Sequence, residues 1–203
     1  MTTKTARRSK APQDPAEEAD GRRRRSLDSR ARIVAAMLEL VREGAVTPGA
    51  ERVAARADVG LRTVFRHFKD MDSLYGEMSK VVEGQFRAVV QRPFTTPRGR
   101  ERIIELVHRR AEVYEAIAPF KRASEAHRHR SAFLEAGQAR LVAMSRKILR
   151  TELPPEIAGD ELAFEALDLL LSFEAWNRLR REQGLSATRA RQTVEAAVRR
   201  LLG

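Results

Sequence analysis

Residues 47–74 read TPGAERVAARADVGLRTVFRHFKDMDSL, and this stretch decides the fold. Thr47-Pro48 reads as a helix start, because a Thr hydroxyl satisfies an orphan N–H and Pro suits the first helical position. A short helix running to Ala57 turns Val53, Ala54 and Ala57 inward. Asp58-Val59-Gly60 reads as a tight turn, and a second short helix covers Leu61 to His67. Two short helices joined by a three-residue turn and set against a longer helix form a helix-turn-helix, whose second helix enters a major groove. In this reading Val64, Phe65 and Phe68 brace the second helix from behind, and Leu61, Arg62, Thr63, Arg66 and His67 face outward.

Moving toward the N-terminus, Leu27, Ala31, Val34, Leu38 and Val41 form one stripe of a helix over about 27–43, with Gly44 as its stop. Moving the other way, Asp70 or Asp72 caps a helix carrying Leu74, Met78, Val81, Val82, Phe86 and Val89. Pro93 and Pro97 mark a break. Further helices are expected over about 98–118 (ended by Pro119), 121–128, 130–151, 160–183 and 187–202, the last two separated at Gly184. Nine helices, no strand and 5% aromatic content describe an all-α protein.

The chain has 203 residues and a formal net charge of +11, which favours an anionic partner. The excess is spread out: residues 22–80 hold 13 basic and 8 acidic side chains, whereas residues 1–21 are balanced. Residues 1–26 contain almost no large apolar side chain and are expected to be a disordered tail; its Arg22–Arg25 run is read as a solvated segment or as a basic arm touching phosphates. The absence of cysteine excludes disulfides and thiolate metal sites. With no apolar leader and no apolar run of membrane-spanning length, a soluble, cytoplasmic protein is expected, with no membrane partner. Catalysis is not expected. The four histidines, His67, His108, His127 and His129, form no i, i+4 pair, and no Gly-rich phosphate loop exists. No metal and no cofactor are expected.

The same stretch resembles the TetR (tetracycline-repressor) family. The cap, the alanines, the turn, the aromatics and the Phe68-to-Leu74 ending fit together, and the match covers about residues 27–76. The resemblance implies a helix-turn-helix DNA-binding domain over 27–76 and a helical effector-binding and dimerisation domain over 77–203. It implies DNA contacts from Thr47 (a phosphate at a helix start), from Arg62, Thr63, Arg66 and His67 on the reading helix, and from Lys69 to the backbone. Four features depart from the family pattern. Phe65 stands for the usual Tyr, Gly60 for the usual Ser cap, Met71 for a phosphate-binding Lys, and Pro48-Gly49 for a bulkier pair.

The partners so implied are a near-palindromic double-stranded operator, a second copy of the chain, and a small-molecule effector whose binding releases the DNA. Candidate effector-lining residues are Phe86, Ile104, Val107, His108, Tyr114, Phe120, Phe133, Met144, Phe173 and Trp176. His108 and Tyr114 each carry a polar tip that needs a partner if buried. Residues 98–150 hold 13 basic and 6 acidic groups, including His127–Arg130, read as a solvated face or as a bias toward an acidic ligand. The last two helices are apolar on more than one side, which points to a four-helix dimer face using Leu162, Leu169, Leu179, Val194, Val198 and Leu201. Two rivals share the charge: a basic architectural DNA-binding protein that senses nothing, and an adaptor whose reading head has decayed.

Overall fold

A computed structural model describes residues 15–203. Ten α-helices follow one another: α1 Pro15–Arg42, α2 Ala50–Arg56, α3 Leu61–His67, α4 Met71–Gln91, α5 Arg100–Arg128, α6 Ala132–Glu152, α7 Pro155–Ala158, α8 Glu161–Leu170, α9 Phe173–Asn177 and α10 Ala187–Leu202. A π-helical segment, Arg178–Glu182, continues α9. No strand occurs among the described residues, so the all-α expectation holds.

Four boundaries differ from the sequence reading, two for local reasons and two because of tertiary contacts. Helix α1 begins at Pro15, so residues 15–26 of the expected disordered tail are helical; residues 1–14 of that tail lie outside the described residues. Pro suits a first helical position, and the acidic residues that follow it stand near the helix start, where the helix dipole favours negative charge. Helix α2 begins at Ala50 with Gly49 as its cap and no side-chain cap bond, so Thr47 does not start it. A residue before proline is pushed to extended backbone, which delays the helix past Pro48. Pro119 lies inside α5 without ending it. On either side of it α5 is anchored by buried Ile103, Ile104, Val107 and Ala111 and by buried Phe120 and Ala123, and this packing outweighs the bond that proline removes.

The expected 160–183 helix breaks at Leu171-Ser172. The Leu171 carbonyl accepts from the Tyr114 hydroxyl at 2.8 Å and from Arg110 Nη1 at 2.9 Å, while Ser172 Oγ caps α9 by accepting from Ala175 N at 3.1 Å. The backbone thus finds partners outside the helical ladder.

Two cores share α5 as their spine. The first joins α1–α4 to Phe120 and Ala123 of α5 and Leu134 of α6. The second joins the N-terminal half of α5 to Leu149 and Leu153, to α8 and α9, and to α10. Helix α4 runs unbroken from the head into the bundle, across the 76/77 boundary that the resemblance implies. It starts on a capping box, in which Asp70 Oδ1 accepts from Ser73 N at 2.8 Å. The α4–α5 connection is tied down by Glu105, whose carboxylate accepts from the backbone and hydroxyl groups of Thr95 and Thr96 at 2.7–3.1 Å. Burial would raise this carboxyl, but those hydrogen bonds hold it down at about 2.

Where head meets bundle, Tyr75 is completely buried and its ring lies 4.1 Å, centroid to centroid, from the ring of His127 at the end of α5. His127 Nε2 is buried and has no hydrogen-bond partner among the described residues. Burial pushes its pKa below the usual range; Asp72 opposes this, and Arg130 and His129 add to it. A histidine depressed in the folded state is protonated first in the unfolded chain. Stability held above about pH 6.5 is therefore lost progressively as the pH falls below it. Melting followed between about pH 7 and pH 5, above the range in which carboxylates titrate, should show a falling midpoint for the wild type and a shallower fall for His127→Phe. Identical slopes would show that this ring does not carry the effect.

Candidate DNA-reading face and effector cavity

The helix-turn-helix is built by its turn. Asp58 takes a left-handed φ of 52° and Gly60 caps α3 without a side chain, its carbonyl accepting from Thr63 N at 2.8 Å. Val64 and Phe68, four apart, point inward, and Phe68 is only 2% exposed. Phe65, one residue past Val64, is rotated by about 100° on a helix and is 47% exposed. The expectation that Phe65 braces α3 is therefore corrected: it stands on the outer face with Leu61, Arg62 and Arg66, all exposed. Thr63 is half-buried beside them, and Thr47 and Lys69 are exposed in the loops that flank α2 and α3.

His67 is placed differently from its neighbours. Its Nε2 is buried without a partner among the described residues, and its carbonyl accepts from Arg30 Nη1 at 2.9 Å. Burial, then the positive charges of Arg66 and Arg30, lower its pKa, so at neutral pH the ring is uncharged and turned partly inward. Arg30 is a residue that the sequence reading missed. Its guanidinium covers the Phe68 ring at 4.4 Å and pairs with Glu77 at 3.0 Å, which ties α1, the end of α3 and α4 together. No spacing signal marks it, because it lies beside the apolar stripe of α1 rather than on it. Arg56 of α2, a natural phosphate partner by type, is engaged by Glu43 through two hydrogen bonds of 2.7 Å, whereas Arg52 is exposed.

Behind the head, α4, α5 and α6 line a cavity of about 640 Å³ that is partly open to solvent. Four of the expected lining residues meet there: Phe86, Phe120, Phe133 and Met144. An adjoining cavity of about 470 Å³, reaching α8 and α9, brings in Tyr114 and Phe173. Both are walled by Val113, Ile117, Lys121, Gln138, Leu141 and Met144, so they open along one shared wall. These volumes fall within the roughly 300–1,000 Å³ of small-molecule sites. Gly76 lets the Phe133 ring lie against α4: a Cβ there would stand 2.8 Å from its Cε1.

The other four expected lining residues lie elsewhere. Ile104 and Val107 are buried in the second core, on the side of α5 that meets α10. His108 is exposed and its Nε2 pairs with Glu195 at 2.9 Å. Trp176 is buried, with Nε1 donating to Glu115 Oε1 at 2.9 Å. One helical step separates the α5 face that lines the cavity (Val113, Ile117, Lys121) from the face that packs on α10. Tyr114 lines the cavity, but its hydroxyl is already satisfied by the Leu171 carbonyl.

The expected dimer residues also divide. On α8, Leu162 and Leu169 are 85% and 67% exposed and lie two turns apart, on one face. Leu201 is 39% exposed, and Leu179 is half-buried against the second core. Val194 and Val198 are buried within the protomer, because Ala190, Val194, Val198 and Leu202 form the inward stripe of α10. They supply core and not a contact surface, which corrects that part of the expectation.

Among the described residues no group of three or more His, Asp or Glu side chains could hold a metal ion, and no helix is long and apolar enough to cross a membrane. No family model and no curated protein sequence matches the chain. Solved structures do. A transcriptional regulator from Rhodococcus sp. Rha1 superposes with a TM-score of 0.67 at 14% identity, over 85% of this chain and 95% of that one. The multidrug-binding protein EbrR, solved with imidazole, gives 0.59 at 19% identity over 94% and 92%. A candidate transcriptional regulator, SCO7518 from Streptomyces coelicolor A3(2), gives 0.56 at 22% identity over 86% and 98%. With the helix-turn-helix and the cavity described, the comparison adds one conclusion: the chain has the fold of these regulator structures over most of its length.

Proposed function

We propose that the protein is a dimeric transcriptional regulator of the TetR type. In this reading α3 reads an operator, and a small molecule held between α4, α5 and α6 releases it. The observation that carries the reading is α3 itself, a seven-residue helix held from behind by Val64 and Phe68 that presents Arg62 and Arg66 to solvent. A short, braced helix with outward arginines suits a major groove, where Arg is the commonest partner of guanine. The net charge of +11 adds the sequence-independent attraction to phosphate.

The cavity favours a sensing regulator over an architectural protein, which needs none. Helix α4 is the natural coupling element, because it lines the cavity with Phe86 and carries Leu74 and Tyr75 in the core of the head. A ligand that prefers one placement of α4 changes the separation of two reading heads by its differential affinity for the two placements. Repression follows from the resemblance. The test is selection of bound duplexes from a random pool. A sensing regulator enriches one near-palindrome with half-sites about one or more helical turns apart. Enrichment of no sequence, with a steep salt dependence, would favour the architectural reading.

A further inference from the structure

We propose that the cavity takes an amphipathic acid: a molecule with an apolar body and a single carboxylate, whose head is met by Lys121 in the wall common to both chambers. The proposal rests on the effector reading above and adds the chemical class of the ligand.

Lys121 is half-buried on α5, its ammonium donates to the Gln138 side-chain oxygen, and it lies 5.5 Å from the centre of the Phe173 ring. Among the described residues it has no carboxylate at ion-pair distance, although carboxylates are plentiful around the cavity. Those nearby are taken or face water. Glu165 and Asp168 are both held by Arg146, at 2.6 and 2.8 Å, Glu125 is paired with Arg128, and Glu174 and Glu83 are exposed. Arg110, on the same wall of the smaller chamber, donates only to the carbonyls of Leu171 and Ser145, each at 2.9 Å. The cavity therefore holds two cationic groups, Lys121 and Arg110, partnered by neutral oxygens, beside Val113 and Ile117 of the same helix and Leu141 and Met144 of α6. A cation withdrawn from water without a counter-ion is costly, and an anion brought to it gains a charge-assisted bond that a neutral or cationic ligand does not. Burial lowers the Lys121 pKa, Glu174 and Glu125 oppose the shift and Arg128 adds to it, which is the state expected of an ammonium awaiting a partner. The long apolar walls call for a hydrocarbon or aromatic body on the same molecule.

The test is calorimetric titration of the full chain and of Lys121→Met with dodecanoate, dodecanol and dodecyltrimethylammonium, all below micelle-forming concentrations. Melting of both proteins would establish that the variant folds. The expected result is that the wild type binds dodecanoate about tenfold or more tightly than dodecanol. Lys121→Met should lose that preference while keeping its affinity for the alcohol. Equal affinity for the three probes in the wild type, or a carboxylate preference that survives Lys121→Met, would overturn the assignment of an acid while leaving a sensing cavity intact. Failure of the wild type to bind any of them would overturn the inference, while the effector reading itself would fall only if the cavity took no small molecule of any class.

Discussion

Replacing Phe68 with alanine is expected to cost about 3–5 kcal/mol of stability and to abolish duplex binding. The ring is 2% exposed in the first core, beneath the Arg30 guanidinium, and its backbone N–H closes α3 by donating to the Val64 carbonyl at 2.9 Å. Removing it leaves a void behind the reading helix and takes away the surface on which Arg30 lies. The control is three residues away. Phe65→Ala, on a ring 47% exposed, should change stability by no more than about 0.5 kcal/mol, yet should weaken binding, because that ring faces the same side as Arg62 and Arg66. Urea unfolding and fluorescence anisotropy with a selected duplex measure both quantities. Similar unfolding curves for the two variants would mean that α3 is not braced as described.

The second large effect is expected on assembly. Leu162→Glu combined with Leu169→Glu should turn a dimer into a monomer. Protomer stability should stay within about 1 kcal/mol of the wild type, because both side chains are mostly exposed in the protomer. Two large leucines on one face of α8, left open to water, form the kind of patch that a second copy covers. Operator affinity should fall by about a hundredfold or more, since two linked heads bind with an effective concentration that a single head lacks. Sedimentation equilibrium reads the mass and anisotropy reads the affinity. A wild type that is monomeric at micromolar concentration would remove the dimer from the proposed function, and a double variant that remains dimeric would place the interface elsewhere. Val194→Glu makes the contrast: it buries a charge in the second core and should unfold the protomer rather than divide a dimer.

Much of the fold was legible because local chemistry and packing agree. The bounds of α3 follow from Gly60 on one side and the change of backbone at Phe68 on the other, and Asp70 with Ser73 announces α4. The errors occur where tertiary contacts outvote local rules. Pro119 is overruled by the packing of α5 on both cores, and Leu171 is drawn out of a helix by Tyr114 and Arg110, more than fifty residues away in sequence. Phe65 escapes a reading by residue type, because of the four apolar residues over 61–68 only Val64 and Phe68 have room inside. For the cavity, apolar type identified Phe86, Phe120, Phe133, Met144, Tyr114 and Phe173 but could not separate adjacent faces of α5, so Ile104, Val107 and His108 were grouped with them. Likewise an inward stripe on α10 looks the same in sequence whether its cover is the protomer or a partner. Arg30 and Lys121 were unreadable, since a lone basic residue carries no pattern until its neighbours are in place.

In the proposed function α3 reads bases while the adjacent loop only holds phosphate. Affinities of the wild type, Arg62→Ala and Lys69→Ala for the selected duplex and for a set of single-base variants of it test this directly. Arg62→Ala is expected to flatten discrimination at one position of each half-site, a loss of about 1–3 kcal/mol there, whereas Lys69→Ala is expected to weaken every duplex alike. If both variants lowered all affinities by the same factor, α3 would not be the reading element.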